Sequence, residues 1–312
     1  MWNVTMAEAV DLIDGFVREG TPHVVITTNV DHLMRLQRDA AFRGVYGRAE
    51  LVTCDSIPLR WACSFLGRPV KERVAGADLF YTLSERAAAK GYRVFYLGAA
   101  SDVAEKAARA MQIRYPGLTV AGTYAPPVMT LDQLVADEET HRRVKDARPH
   151  ILFVAFGAPK QELWLEAMRA RLGVPVGIGV GAAFDFAAGT IKRAPRWLQA
   201  LGLEWLHRLF QEPKRLWRRY LLVDTRFVFY LLRERFHRKN PPPPLEKKKR
   251  RGRGVSYPRH PTVTLNRRRP CCRRSAPGPA PTPRAPRAPT GNKRPRRTPP
   301  PPRRTVPAPG PP

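Results

Sequence analysis

Asp55 closes the run ELVTCDS and stands just before IPLRWACSF. A carboxylate between a strand and a helix suits a general base that takes a proton from a substrate hydroxyl. The same position suits a helix N-cap, which aspartate favours. Thr27 and Asn29 close another apolar run, HVVITTN, as turn residues or as ligands of a polar substrate. Arg73, in KERVAGAD, is either a clamp for a phosphate or sugar or a solvated surface arginine. The most specific stretch is VAFGAPKQELW at 154–164: an apolar strand, a Gly-Ala-Pro turn, and a helix opening with Lys160, Gln161 and Glu162. Such a turn brings backbone close to a ligand. The free N–H groups and dipole of a helix start attract anions, and Lys160 adds charge that suits a diphosphate. The alternative is a capped helix with solvated polar residues.

Other chemistries find no support in the residues. GVGAAFDFAAG at 179–189 lacks the GxxxxGK[ST] spacing of a phosphate loop and only loosely resembles a dinucleotide fingerprint. FDF is not a DxD metal clamp, no paired acids stand at a strand end, and the seven histidines form no i, i+4 pair, so no metal is expected. Asp137, Glu138 and Glu139 read as a solvated face in the middle of a helix. A nicotinamide oxidoreductase is disfavoured by the missing early GxGxxG and ribose acid.

Strand-like and helix-like segments alternate along the chain. β-Branched and apolar runs at 23–29, 50–56, 92–100, 118–127, 150–159 and 174–181 read as strands. Between them, 6–20, 31–49, 58–67, 76–91, 102–117 and 131–149 carry apolar residues at helical spacing. Alternation of this kind predicts an α/β fold, a Rossmann-like and largely parallel sheet flanked by helices. Ligands then bind beyond the carboxyl ends of the strands. Thr27-Thr28-Asn29, Asp55-Ser56, Gly98-Ala99 and Gly157-Ala158 should converge on one crevice.

Residues 1–191 form this predicted core. From 192 to 240 the chain turns helical, aromatic and basic: Trp197, Trp205, Leu206, Leu209, Phe210, Leu216 and Trp217 give apolar faces, and Arg208, Arg215, Arg218 and Arg219 a cationic one. Aromatics interleaved with arginines pack as a helical core or sit at a membrane interface, with the arginines on acidic headgroups or a lipid diphosphate. Residues 241–312 hold 20 of the 55 Lys and Arg residues, one acid (Glu246) and most of the prolines. Such a tail cannot bury enough apolar surface to offset its ordering entropy and is expected to be disordered. Its charge suits anionic lipid or nonspecific nucleic-acid binding, and a nucleic-acid-binding protein is the alternative reading of the whole chain. Four cysteines without CxxC spacing fit a reducing cytoplasm. Neither a signal peptide nor an unbroken apolar run of about 18 residues is expected.

Taken in order, TTNVDHLM, ELVTCDSIPLRWA, ERVAGADLF, VFYLGAA, FGAPKQELW, GVGAAFDFAAGTIKRAPRW and GLEWLHRLFQEPKRLWRRYL resemble the WecG/TagA/CpsF glycosyltransferases over residues 5–236. The resemblance implies an inverting, metal-independent transfer of N-acetylmannosamine, its uronic acid or a hexose. The donor it implies is a UDP-sugar, a co-substrate rather than a cofactor; the acceptor is a polyprenyl-diphosphate-linked saccharide. It implies a cytoplasmic enzyme peripherally bound to the inner, anionic face of the cell membrane, able to self-associate as a homo-oligomer when the helical appendage is absent. By the same resemblance Asp55 is the general base, and Thr27 and Asn29 line its pocket. Arg73 and Gln161 lie near the donor and its leaving diphosphate, Glu162 is structural, and Arg208, Arg215 and Arg218 face a lipid-linked diphosphate or UDP. Two departures stand out: CDS replaces the family's PDG-like turn, so that Ser56 either alters acceptor approach or caps the helix, and the tail has no counterpart.

Overall fold

The computed structural model describes residues 1–100, 102–218 and 225–237. Among them, six parallel strands form one sheet in the order β2-β1-β6-β5-β3-β4. These are β1 (His23–Thr28), β2 (Leu51–Cys54), β3 (Arg93–Gly98), β4 (Thr119–Tyr124), β5 (Ile151–Ala155) and β6 (Val176–Gly179). The first helices are α1 (Met6–Glu19), α2 (Val30–Leu36), α3 (Ala40–Arg48), α4 (Ile57–Phe65), α5 (Gly76–Lys90) and α6 (Val103–Arg114). They continue as α7 (Leu131–Ala136), α8 (Glu138–Ala147), α9 (Lys160–Leu172) and α10 (Ala183–Ala188). Beyond the sheet lie α11 (Arg196–Ala200), α12 (Glu204–Gln211), α13 (Pro213–Trp217) and α14 (Thr225–His237).

Each strand expected from the sequence is present, and the expected Rossmann-like architecture holds. Every residue of β1 is buried, as a strand covered on both faces requires. On one face α1, α5, α6 and α10 enclose an aromatic cluster in which Phe80 meets Phe153 at 5.0 Å and Tyr96 meets Phe184 at 5.1 Å between ring centroids. On the other, Trp164 of α9 packs with Val24, Leu152 and Val154 and donates its indole N–H to Leu134 O at 3.2 Å.

Two expectations need correction. The segment 31–49 is two helices: Asp39 accepts from Phe42 N–H and starts α3, so the capping bond outweighs continuous helical spacing. Asp137 likewise divides 131–149, ending α7 and capping α8 through Thr140 N–H. It is therefore not mid-helix, while Glu138 pairs with Arg171 and Glu139 with Arg142 and Arg143. The glycine-rich segment after β6 holds a short helix, α10, that packs on α6.

Candidate active site

Beyond the carboxyl ends of the strands lies a cavity of about 1090 Å³. Its wall includes Thr27 and Asn29 after β1, Asp55 and Ser56 after β2, Gly98 and Ala99 after β3, and Gly157 and Ala158 after β5. The four predicted strand ends thus converge, with Thr28 alone turned into a polar cluster behind the wall. Residues from α11, α12, α13 and α14 complete the enclosure, among them Gln199, Trp205, Arg208 and Leu216.

Asp55 is not the cap of α4. Ser56 occupies that position and makes no side-chain capping bond; its hydroxyl is buried at the cavity wall without a hydrogen-bond partner. The Asp55 carboxylate instead accepts the Gly76 N–H at 3.1 Å, across from its own strand. Glycine is required there by close approach: a Cβ on residue 76 would lie 2.7 Å from Thr27 Oγ1. Burial, and next the Glu204 carboxylate, push the Asp55 carboxyl up to about 6; Arg73 and the Gly76 N–H pull the other way. A carboxylate of that affinity is ionised at neutral pH yet basic enough to take a proton in a transition state.

The opening of α9 forms the cavity floor. Gln161 and Glu162 are both buried. Gln161 Oε1 accepts from Gly157 N–H at 3.2 Å, and Nε2 donates to Glu162 Oε1 at 2.8 Å. Glu162 lies 3.8 Å from His32 Nε2, and His32 Nδ1 meets the Tyr46 hydroxyl at 2.7 Å, which in turn meets Thr28 Oγ1 at 3.2 Å. Burial pushes the Glu162 carboxyl up to about 7. Asn29 serves twice: its side chain caps α2 through His32 N–H, and it lines the cavity. Lys160 lines the cavity too, its ammonium donating to Met129 O at 2.7 Å.

Of the arginines, Arg73 lines the cavity and pairs with Asp78 at 3.0 Å and Glu204 at 3.2 Å. Arg208 lies over the Phe186 ring at 5.7 Å, lines the cavity, and keeps a buried Nε without a hydrogen-bond partner. That free donor suits an anion. Arg218 is exposed, over the Trp217 ring at 5.4 Å and away from the cavity wall. The side chain of Arg215, residues 219–224 and the tail 241–312 lie outside the described residues. Among the described residues no three His, Cys, Asp or Glu side chains gather as metal ligands.

The model of the "Glycosyl transferase WecG/TagA/CpsF family" matches residues 1–241. The chain belongs to this glycosyltransferase family. It is 31% identical over 211 residues to the N-acetylglucosaminyldiphosphoundecaprenol N-acetyl-beta-D-mannosaminyltransferase of Bacillus spizizenii, covering 68% of this chain and 79% of that one. It is 30% identical to the Bacillus subtilis protein of the same name (69% and 81% covered) and 29% to that of Staphylococcus aureus (69% and 84%). This WecG/TagA/CpsF member is accordingly an enzyme, a glycosyltransferase of the hexosyltransferase kind. Sequence reasoning about it passed over His32, Tyr46, Asp78, Arg193 and Glu204. Each is brought to the site by a partner distant in the chain, and no local spacing signals that.

Proposed function

We propose that the protein transfers N-acetylmannosamine from its UDP derivative to a polyprenyl-diphosphate-linked N-acetylglucosamine, with inversion and without a metal ion, in the synthesis of a cell-surface polymer. One observation carries the reading. Asp55, ionised at neutral pH, shares a cavity large enough for a nucleotide-sugar with the uncommitted Nε–H of Arg208. The names of the relatives supply the sugar and the acceptor.

In this mechanism Asp55 takes the proton of an acceptor hydroxyl as that oxygen attacks the anomeric carbon. The bond from that carbon to the diphosphate oxygen breaks, and UDP leaves with the electron pair. Arg208 and the start of α9, with Lys160 beside it, offset the charge that develops on the diphosphate. A single displacement on the face opposite the leaving group inverts the anomeric centre. The aromatic and basic helices after 192 bring this cavity to the membrane surface where the lipid-linked acceptor resides.

The test is UDP release in EDTA with a panel of UDP-sugars and a short polyprenyl-diphosphate-linked N-acetylglucosamine analogue. The expected result is acceptor-dependent release with UDP-N-acetylmannosamine. Release only with another donor would replace the sugar, and release only with added divalent metal would overturn the metal-free mechanism.

A further inference from the structure

Four charged side chains close a ring beside the cavity. Arg73 pairs with Asp78 at 3.0 Å and with Glu204 at 3.2 Å. Arg193 pairs with the same two carboxylates, meeting Glu204 at 3.4 Å through Nε and Asp78 through Nη1. Each arginine touches both acids and each acid both arginines. Arg73 and Asp78 come from the segment that opens α5, while Arg193 and Glu204 come from the helical region, so the ring spans the two. Its members are 17% to 33% exposed, sheltered enough for the pairing to resist screening by salt.

Asp55 stands next to this ring but outside it. Its carboxylate accepts the Gly76 N–H, and among the described residues no cation lies within ion-pair distance of it. The groups that act on it are Arg73, Asp78 of α5, Glu204 of α12, Tyr46 of α3 and Cys54 of β2. Burial pushes the last two upward, so both are neutral near pH 7. Arg73 is the cation that acts most strongly on it, and an arginine nitrogen released from one acid turns to another available carboxylate.

Resting on the reading of Asp55 as the base, we propose that Glu204 is a positioning residue: it holds Arg73 within the ring and off the Asp55 carboxylate, so that Asp55 is free to accept the proton of the acceptor hydroxyl. Without Glu204, Nη1 of Arg73 is released while Nη2 stays on Asp78; the freed nitrogen turns to Asp55 and lowers its proton affinity beyond the direct loss of the Glu204 charge, which makes it a poorer base. The helical region thereby controls the base through one side chain as well as enclosing the cavity.

The experiment follows Asp55 in the full chain by carboxyl ¹³C NMR with labelled aspartate, the resonance being assigned by its loss in D55N. The wild type, E204D and E204Q are titrated, and the acid limb of kcat/KM is recorded for each. The ring lies outside both hydrophobic cores, and thermal melts check that the variants fold. The midpoint of Asp55 is expected to fall in the order wild type, E204D, E204Q, with the kinetic limb moving in step. Plateau turnover in E204Q is expected to drop by up to about 10²-fold, the scale of a small displacement of a catalytic group. A midpoint unchanged in both variants overturns the proposal, and so does an E204Q fall that is just as large in an R73Q background, since that is the direct loss of the Glu204 charge alone. If E204Q does not fold, an unchanged midpoint in E204D overturns it. The NMR titration needs no turnover, so a wild type that releases no UDP counts against the transferase reading and leaves this test standing.

Discussion

The proposed transfer concentrates its proton chemistry in one carboxyl group, that of Asp55. D55N is expected to lower kcat by about 10²–10⁴-fold, the usual contribution of a general base, while donor affinity stays near the wild-type value. Loss of UDP-sugar binding along with turnover, read by calorimetry, would move Asp55 from proton transfer to binding. With the folded-state value near 6, the base is deprotonated above that pH and protonated below it. The wild-type kcat/KM should therefore decline tenfold per pH unit on the acid side of about 6 and level off above it. Stability runs the opposite way. The carboxyl is raised from its ordinary 3.8, so the native state holds this proton more tightly than the unfolded chain. The stabilisation from this group is complete below about 3.8 and is lost as pH rises through about 6. The proposed base thus works in the protonation state that the fold favours less.

Elements fix these groups by close approach. β6 passes directly under the start of α9, and a Cβ at Gly179 would lie 2.5 Å from Gln161 Nε2 and 2.8 Å from its Cδ. Gln161 has little room to yield, since its oxygen is bonded to Gly157 N–H and its nitrogen to Glu162. G179A is expected to displace the amide, break buried hydrogen bonds and cost about 1–3 kcal/mol, lowering Tm by several degrees. A calorimetric scan measures the loss, and an unchanged Tm with unchanged donor binding would show that the floor of the cavity can adjust. The expected roles of Gln161 and Glu162 differ in this light. Gln161 lines the cavity and is pinned from behind, whereas Glu162 is buried with His32 and belongs to the support.

At the scale of the whole molecule, no helix among the described residues is long and apolar enough to cross a membrane. Yet α14 exposes Val228, Phe229, Leu232 and Phe236, and Trp197, Phe210 and Trp217 are exposed on the helices before it. With 20 Lys and Arg in residues 241–312, the chain is expected to sediment with vesicles of anionic phospholipid and far less with neutral ones, the binding weakening as salt rises. Deleting 241–312 is expected to reduce vesicle binding and leave transfer to a water-soluble acceptor analogue unchanged. Equal recovery with neutral vesicles would shift the attraction from charge to the exposed aromatics, and no recovery with either would remove membrane attachment.

Hydrophobic periodicity and turn residues are local properties, and they determined the strands, most helices and the convergence of Asp55, Thr27, Asn29 and Gly157 on one crevice. Parallel strands place all their carboxyl ends on one edge, so a correct strand count carries the site with it. The breaks at Asp39 and Asp137 escaped because a single capping bond overrode a continuous spacing. Asp55 itself was singled out from the residues, but whether it caps the following helix was not legible there. That turned on where its carboxylate points, and its partner is Gly76, in another segment. The ring of Arg73, Asp78, Arg193 and Glu204 was decided by tertiary structure alone. An ion pair depends on distance in space, and nothing in the spacing of four residues between positions 73 and 204 encodes their meeting.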